Sequence, residues 1–171
     1  DRASIERALE DADAVVNLVG VLTEKGKQTF ESTQAEGAAL LAEVAAEKGI
    51  TRFVQISAIG ADAESKSHYA RTKAEAEEAV RKAVPTATIL RPSVVFGPED
   101  EFFNKFAQMA RVAPVMPAIG GGKTKMQPVY AGDVAEAIAV SVDDDTTAGK
   151  TYELGGPRVY TMNEIYDFIC K

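Results

Sequence analysis

Tyr69 and Lys73 stand four residues apart, at the start of a run of strong helix formers over residues 73–82. On a helix that spacing puts the phenol and the ammonium on one face, one above the other. A phenol has an unperturbed pKa near ~10, too high to exchange protons readily at neutral pH. A nearby ammonium favours the phenolate and lowers that value. Tyr69 and Lys73 can therefore form one acid/base device. The same spacing also suits an ordinary surface helix with a half-buried Tyr and a solvated Lys.

The elements that must position this pair are legible upstream and downstream. Residues 4–10 read as the end of a helix. Residues 14–19 form an apolar, β-branched run closed by Gly20, which predicts a buried strand. A polar loop is predicted over 23–29. A helix is predicted over 30–48, with Leu40, Leu41 and Val44 as its apolar stripe and Gly49 as its cap. Residues 53–57 predict a second strand ending in Ser57. The Tyr69 helix runs to about residue 83, with Pro85 just past its end. Residues 86–90 predict a third strand, ended by Arg91-Pro92. Strand, helix, strand, helix, strand with short connections is the pattern of right-handed parallel crossovers. The expected fold is α/β: a Rossmann-like, doubly wound parallel sheet. Ligands of such sheets sit beyond the carboxyl ends of the strands. Those ends carry Val19-Gly20, Ser57-Ala58 and Pro92-Ser93, and the first turns of the Tyr69 helix start near that edge.

Beyond Gly97-Pro98 the pattern changes. A short amphipathic helix with Phe102, Phe103 and Phe106 is predicted over 101–111. A Pro- and Gly-rich loop follows over 112–125 and a short strand over 126–130. The next helix is expected to take Asp133 as its cap, with Val134, Ile138 and Val142 inward. A strand over 150–154 and a last helix over 163–169, capped by Thr161, complete the chain. The expected division is an incomplete dinucleotide-binding core over 1–97 and a small C-terminal lobe over 98–171, part of it returning to the core.

Composition narrows the function. A chain of 171 residues with 46% hydrophobic content can bury a real core. Its net charge of −7 argues against general nucleic-acid binding, which wants a basic face. No run approaches the ~18 apolar residues of a membrane span. Cys170 is the sole cysteine, so no internal disulfide can form, which fits a reducing compartment. One cysteine and one histidine do not make a zinc site. Asp143-Asp144-Asp145 lacks the rest of a calcium-loop pattern and reads as solvated. Gly120-Gly121-Gly122-Lys123-Thr124 mimics a phosphate loop. However, the glycine required five residues before Gly122 is Pro117, and the segment leads into a strand. Ser57 is not in a G-x-S-x-G turn, and a hydrolase triad would have to use His68. His68 itself reads as a solvated helix-entry residue. Arg91 reads equally as an ion-pair partner or a site residue.

Taken together, the strand ending in Ser57, Tyr69-x-x-x-Lys73, the strand ending in Arg91-Pro92-Ser93 and Phe96-Gly97-Pro98 resemble the extended and atypical short-chain dehydrogenase/reductases, the NAD-dependent epimerase/dehydratase superfamily. A narrower set is similar to the dehydrogenase-like accessory subunits of respiratory complex I and their bacterial relatives. It comprises Asn17-Leu18-Val19-Gly20, Tyr69-x-Arg71-x-Lys73, Pro92-Ser93-x-x-Phe96-Gly97-x-Glu99-Asp100, Phe102-x-Asn104-x-Phe106-Ala107 and Gln127-Pro128-Val129-Tyr130-x-x-Asp133-Val134. The resemblance covers nearly the whole chain in the same order. It implies that Tyr69 is the acid/base phenol and that Lys73 bonds the nicotinamide ribose and favours the phenolate. It further implies that the backbone of Pro92, Ser93 and Val94 lines the nicotinamide, and that Asn17, Leu18, Val19 and Gly20 lie beside the cofactor. Ser57 stands as either a catalytic and cofactor-side hydroxyl or a plain strand-end hydroxyl.

Two departures qualify the resemblance. Superfamily members open with a glycine-rich turn, G-x-x-G-x-x-G, whose amides hold the pyrophosphate. Nothing like it occurs here, and the chain begins with Asp1 rather than Met, so the expectation is a later part of such a domain. The active members carry a Ser or Thr where alignment on Phe53 places Ala58, and their usual Asn on the preceding helix is Gln34. Two readings stay open. One is a non-catalytic, cofactor-stabilised subunit or assembly factor. Its partners would be a dinucleotide and respiratory complex I or its assembly machinery, at the inner face of the bacterial membrane or in the mitochondrial matrix. The other is a working reductase or epimerase on a small carbonyl or nucleotide-sugar substrate. In either, NADP or NAD is the implied cofactor, held weakly if at all by these residues alone, and an uncovered sheet edge invites self-association.

Overall fold

The computed structural model describes residues 1–112 and 119–170. In chain order the elements are α1 (Arg2–Ala8), β1 (Ala14–Asn17), a π-helical stretch (Glu31–Glu36), α2 (Gly37–Glu47), β2 (Arg52–Ile56), α3 (His68–Ala83) and β3 (Thr88–Pro92). Then come β4 (Val95–Phe96), α4 (Glu101–Val112), β5 (Lys125–Met126), β6 (Val129–Tyr130), α5 (Ala131–Asp143), β7 (Thr151–Leu154), β8 (Tyr160–Thr161) and α6 (Met162–Ile169). Two compact units result: residues 1–91 with 137–153, and residues 92–136 with 154–171.

The first unit is built on a four-stranded sheet of order β1-β2-β3-β7. β1 and β2 run parallel, as do β2 and β3, in the expected α/β arrangement. Its core gathers Val15, Phe53 and Ile89 from the strands and Ala87 just before β3 against Ala38, Ala42, Ala45, Ala76 and Val80 from α2 and α3. The alanines let the helices approach the sheet closely. Val80 and Ile89 are wholly buried, so each contributes roughly 1.5–3 kcal/mol of burial free energy.

The buried strand predicted over 14–19 is corrected. β1 stops at Asn17, and Val16, Leu18 and Val19 are exposed. β1 is an edge strand, flanked only by β2, and Val16 on its second face is 38% exposed. Asn17 Oδ1 then accepts the Val19 N–H at 3.1 Å, which turns the backbone out of the ladder. The helix predicted over 30–48 is also two pieces. Its first part is π-helical and carries Gln34, and only then does α2 begin.

The second unit packs Phe102, Phe103 and Phe106 of α4 on Met162, Ile165 and Tyr166 of α6. Edge-to-face rings dominate, with Phe102–Phe106 at 5.0 Å and Phe106–Tyr166 at 5.3 Å. The single strand expected over 126–130 is split into β5 and β6. β5 pairs antiparallel with β8, and β6 pairs parallel with β4. Pro128 lies between the halves and has no N–H for a ladder. Gly156 passes so close to the Pro128 carbonyl that any Cβ would collide with it. Asp133 is not a cap: α5 begins at Ala131, so Asp133 sits in the first turn, where a carboxylate favours the helix dipole. Thr161 does cap α6, in a capping box with Glu164. The glycine run at 120–122 turns through three positive-φ residues and leads into β5 rather than a helix. The loop predicted over 112–125 falls partly on 113–118, outside the described residues.

Candidate functional site

The site is assembled at the carboxyl ends of β1 and β2, where α3 begins. Ser67 caps α3 by accepting the Ala70 N–H, which sets Tyr69 and Lys73 in its first two turns. Lys73 is buried, with 6% of its surface exposed. Its Nζ lies 5.8 Å from the Tyr69 ring centroid and makes a long hydrogen bond, 3.5 Å, to the Ile56 carbonyl. Burial pulls the Lys73 ammonium below its ordinary value, and the Glu77 carboxylate one turn on partly opposes that. Burial pushes the Tyr69 phenol up. The expected lowering of Tyr69 by Lys73 is therefore absent, because loss of hydration outweighs an ammonium seated over the ring rather than at the hydroxyl.

Around Lys73 Nζ the chain leaves room and unspent polarity. A Cβ on Gly20 would lie 3.2 Å from Lys73 Nζ and 3.5 Å from Gln34 Oε1, so glycine leaves space beside both atoms. Gln34 is buried in the π-helical stretch; its Nε2 donates to Thr72 Oγ1 at 3.2 Å, while Oε1 has no partner. Single π-turns of this kind recur at functional sites. Ser57 Oγ, just past β2, is also buried and without a partner. Such orphaned groups cost about 1–3 kcal/mol each. The Lys73 ammonium and the Gln34 amide oxygen, both beside Gly20, make a donor and acceptor pair suited to a vicinal diol.

Asn17 and Gln55, neighbours across β1 and β2, hold the floor of this edge. Asn17 Nδ2 donates to Gln55 Oε1 at 2.8 Å, and Gln55 Nε2 donates to the Ile56 carbonyl at 3.0 Å. Leu18 and Val19 follow, exposed, and lead to Gly20. Ala58, half-buried, offers no donor where the resembled enzymes carry a hydroxyl. Pro92 closes β3, while Ser93 and Val94 belong to the second unit. There the Ser93 N–H donates to Leu154 at 2.8 Å, and the Val94 carbonyl accepts from Val129 at 3.0 Å.

Three contacts escape a reading of motifs. Phe30 packs edge-to-face on Tyr69 at 5.6 Å and on His68 at 5.8 Å. Thr72, wholly buried, receives Gln34. Arg91 is an ion-pair partner: its Nε and Nη2 each donate to Glu77 at 2.8 Å. For Arg91 the ion-pair alternative read from the sequence is the one found, while its partner Glu77 carried no sequence signal. His68 opens α3, half exposed, 3.7 Å from Glu31. Among the described residues no cluster of His, Cys, Asp or Glu could hold a metal, and no helix is long and apolar enough to cross a membrane.

The family model described as NAD dependent epimerase/dehydratase family matches residues 1–155. "NADH dehydrogenase [ubiquinone] 1 alpha subcomplex subunit 9, mitochondrial" of Arabidopsis thaliana is 45% identical over 99% of this chain and 44% of that protein. "Ceramide reductase" of Caulobacter vibrioides is 32% identical over 68% of this chain and 36% of that protein. The chain thus spans less than half the length of these curated relatives. A dTDP-glucose 4,6-dehydratase from Streptomyces venezuelae, solved with NAD bound, superposes with a TM-score of 0.83 at 22% identity. That match covers 99% of this chain and 60% of the other, and shows the Rossmann-like fold.

Proposed function

Because the chain belongs to the NAD dependent epimerase/dehydratase family, we propose that it holds a nicotinamide dinucleotide, NAD or NADP, mainly as a structural ligand and with little or no turnover. The carrying observation is the unspent polarity around Gly20. Lys73 Nζ with one long bond and the orphaned Gln34 Oε1, both beside Gly20, fit the hydroxyls of a ribose, and Ser57 Oγ past β2 is a further orphaned hydroxyl. In this reading Lys73 and Tyr69 hold the nicotinamide ribose, Asn17 to Gly20 flank it, and Pro92, Ser93 and Val94 line the nicotinamide. Residues 1–97 act as the incomplete dinucleotide core and 98–171 as the substrate-side lobe. The cofactor, when bound, supplies hydride chemistry. What this chain supplies is orientation and a phenol that burial keeps protonated.

The absence of a donor at Ala58 supports low turnover. Removing one donor at a developing oxyanion typically costs about 3–4 kcal/mol, roughly 10²–10³ in rate. The likeness to a complex I subunit over 99% of the chain supports respiratory complex I, or its assembly machinery, as the partner, in the mitochondrial matrix or at the inner face of a bacterial membrane.

A second reading, an active reductase or epimerase using Tyr69 as acid and Lys73 beside it, is favoured by the retained pair and by the ceramide reductase relative. Calorimetry of the full-length protein with NADPH and NADH, beside a screen of carbonyl substrates including long-chain ketones, separates the two. We expect binding, a loss of roughly tenfold or more in Lys73→Ala, and negligible reduction. Ordinary enzyme rates that Tyr69→Phe abolishes would overturn the structural-ligand reading.

A further inference from the structure

Lys73 is a buried ammonium whose hydrogen bond to the Ile56 carbonyl is a marginal one, at 3.5 Å. Such a charge is costly to bury without compensation. The compensating charge is one helical turn away. The Glu77 side chain is 2% exposed and cannot swing into water. Arg91, reaching over from β3, clamps both of its oxygens at 2.8 Å. A fork of this kind fixes the carboxylate in position as well as in charge. Arg81 adds a cation at 3.7 Å from Glu77, and Glu153 of β7 approaches Arg91 at 3.8 Å. The cluster thus sets Lys73, Arg81 and Arg91 against Glu77 and Glu153, with one positive charge in excess. β2 and the π-helical stretch contribute neutral groups, the Ile56 carbonyl and Gln34, and Tyr69 is the remaining titratable neighbour on α3.

We propose that Glu77 is a positioning residue of this site: clamped by Arg91, its carboxylate keeps the Lys73 ammonium charged and in place to receive an anionic or hydroxyl-rich ligand. That the ligand is a dinucleotide rests on the reading above. The Coulombic effect of Glu77 on Lys73 has the required sign, opposing the burial that favours neutral lysine. Glu77 never touches the ligand; it acts through Lys73.

The test is a titration of the Lys73 Nζ resonance in ¹⁵N-lysine-labelled full-length protein, assigned by its loss in Lys73→Arg. In Glu77→Gln, Lys73 should lose its proton at lower pH than in wild type. Glu77→Asp, which keeps the charge, should restore most of the difference. NADPH affinity, read by calorimetry, should fall in Glu77→Gln by roughly tenfold or more at alkaline pH and much less at acidic pH. If Glu77→Gln does not fold because Arg91 is stranded, Glu77→Gln/Arg91→Met removes the stranded guanidinium, and Lys73 should lose its proton at lower pH in it than in Arg91→Met, which keeps the Glu77 charge. A folded variant lacking the Glu77 charge in which Lys73 titrates as in the matching protein that keeps it, wild type or Arg91→Met, overturns the inference. A lowered titration in a protein whose wild type binds no NADPH overturns the dinucleotide reading alone and leaves the Glu77–Lys73 coupling standing.

Discussion

Gln34 Nε2 donates to Thr72 Oγ1 at 3.2 Å, tying the π-helical stretch to the helix that carries Tyr69 and Lys73. The bond spends one side of the Gln34 amide and leaves the other, Oε1, facing Gly20 with no partner. Thr72 in turn is placed to donate to the carbonyls of His68 and Tyr69, each at 3.1 Å.

This relationship predicts opposite effects on stability and on binding. Gln34→Leu removes a buried, unpartnered acceptor at similar volume. We expect its unfolding free energy to match or exceed that of wild type, while its affinity for NADPH falls. Thr72→Val strands the Gln34 amide and should cost about 1–3 kcal/mol. Urea denaturation of the three proteins, with and without NADPH, checks both. A Gln34→Leu protein that is much less stable yet binds normally contradicts the assignment.

The Glu77–Arg91 pair predicts a large, one-sided penalty. Arg91→Leu leaves a carboxylate buried at 2% exposure with Arg81 at 3.7 Å as its nearest cation. Breaking a buried pair in this way typically costs about 3–5 kcal/mol. Because Arg91 is itself one-quarter exposed, the lower end is expected. The midpoint of a urea transition measures it, and a loss under ~1 kcal/mol would mean that Glu77 finds another partner.

The burial of Lys73 predicts a pH dependence whose sign can be worked out. Its folded pKa lies below the ordinary 10.5, so between the two values the unfolded chain binds more protons. Stability then rises with pH across that window. Tyr69 acts in the other sense: its folded value lies above 10.0, so above that pH the folded state binds more protons and its contribution falls. Melting temperatures of wild type and Lys73→Met, compared across mildly alkaline pH, should therefore converge as pH rises. NADPH binding, which needs the charged ammonium, should weaken over the same range. A constant gap between the two proteins would show that Lys73 binds protons equally in the folded and unfolded states, and that burial does not lower its pKa.

The edge of the sheet predicts association. β1 is terminal in the strand order, and Val16, Leu18, Val19 and Leu22 are exposed along and just beyond it. An unpaired edge beside apolar side chains is a template for another strand. These 171 residues alone should self-associate, and Val16→Lys should reduce it. Light scattering that finds a compact monomer at high concentration rejects this. The same residues carry no G-x-x-G-x-x-G turn, so calorimetry on them alone should find much weaker NADPH binding than in the full-length protein.

What was legible in the sequence is what local periodicity controls. Tyr69 and Lys73 share a face because four residues make about one helical turn. The parallel sheet followed from short apolar runs alternating with helical patterns, and the Thr161 cap from one hydroxyl three residues before Glu164. The tertiary structure decided everything that depends on which surfaces meet. Val16, Leu18 and Val19 read as core, yet lie exposed because β1 is an edge. Gln34 comes to Lys73 from thirty-nine residues upstream, a distance in sequence that no periodic pattern spans. The phenol of Tyr69 moves up rather than down because a pKa follows the water a group loses as well as the charges it gains. How much water is lost is set by packing, which residue spacing does not encode.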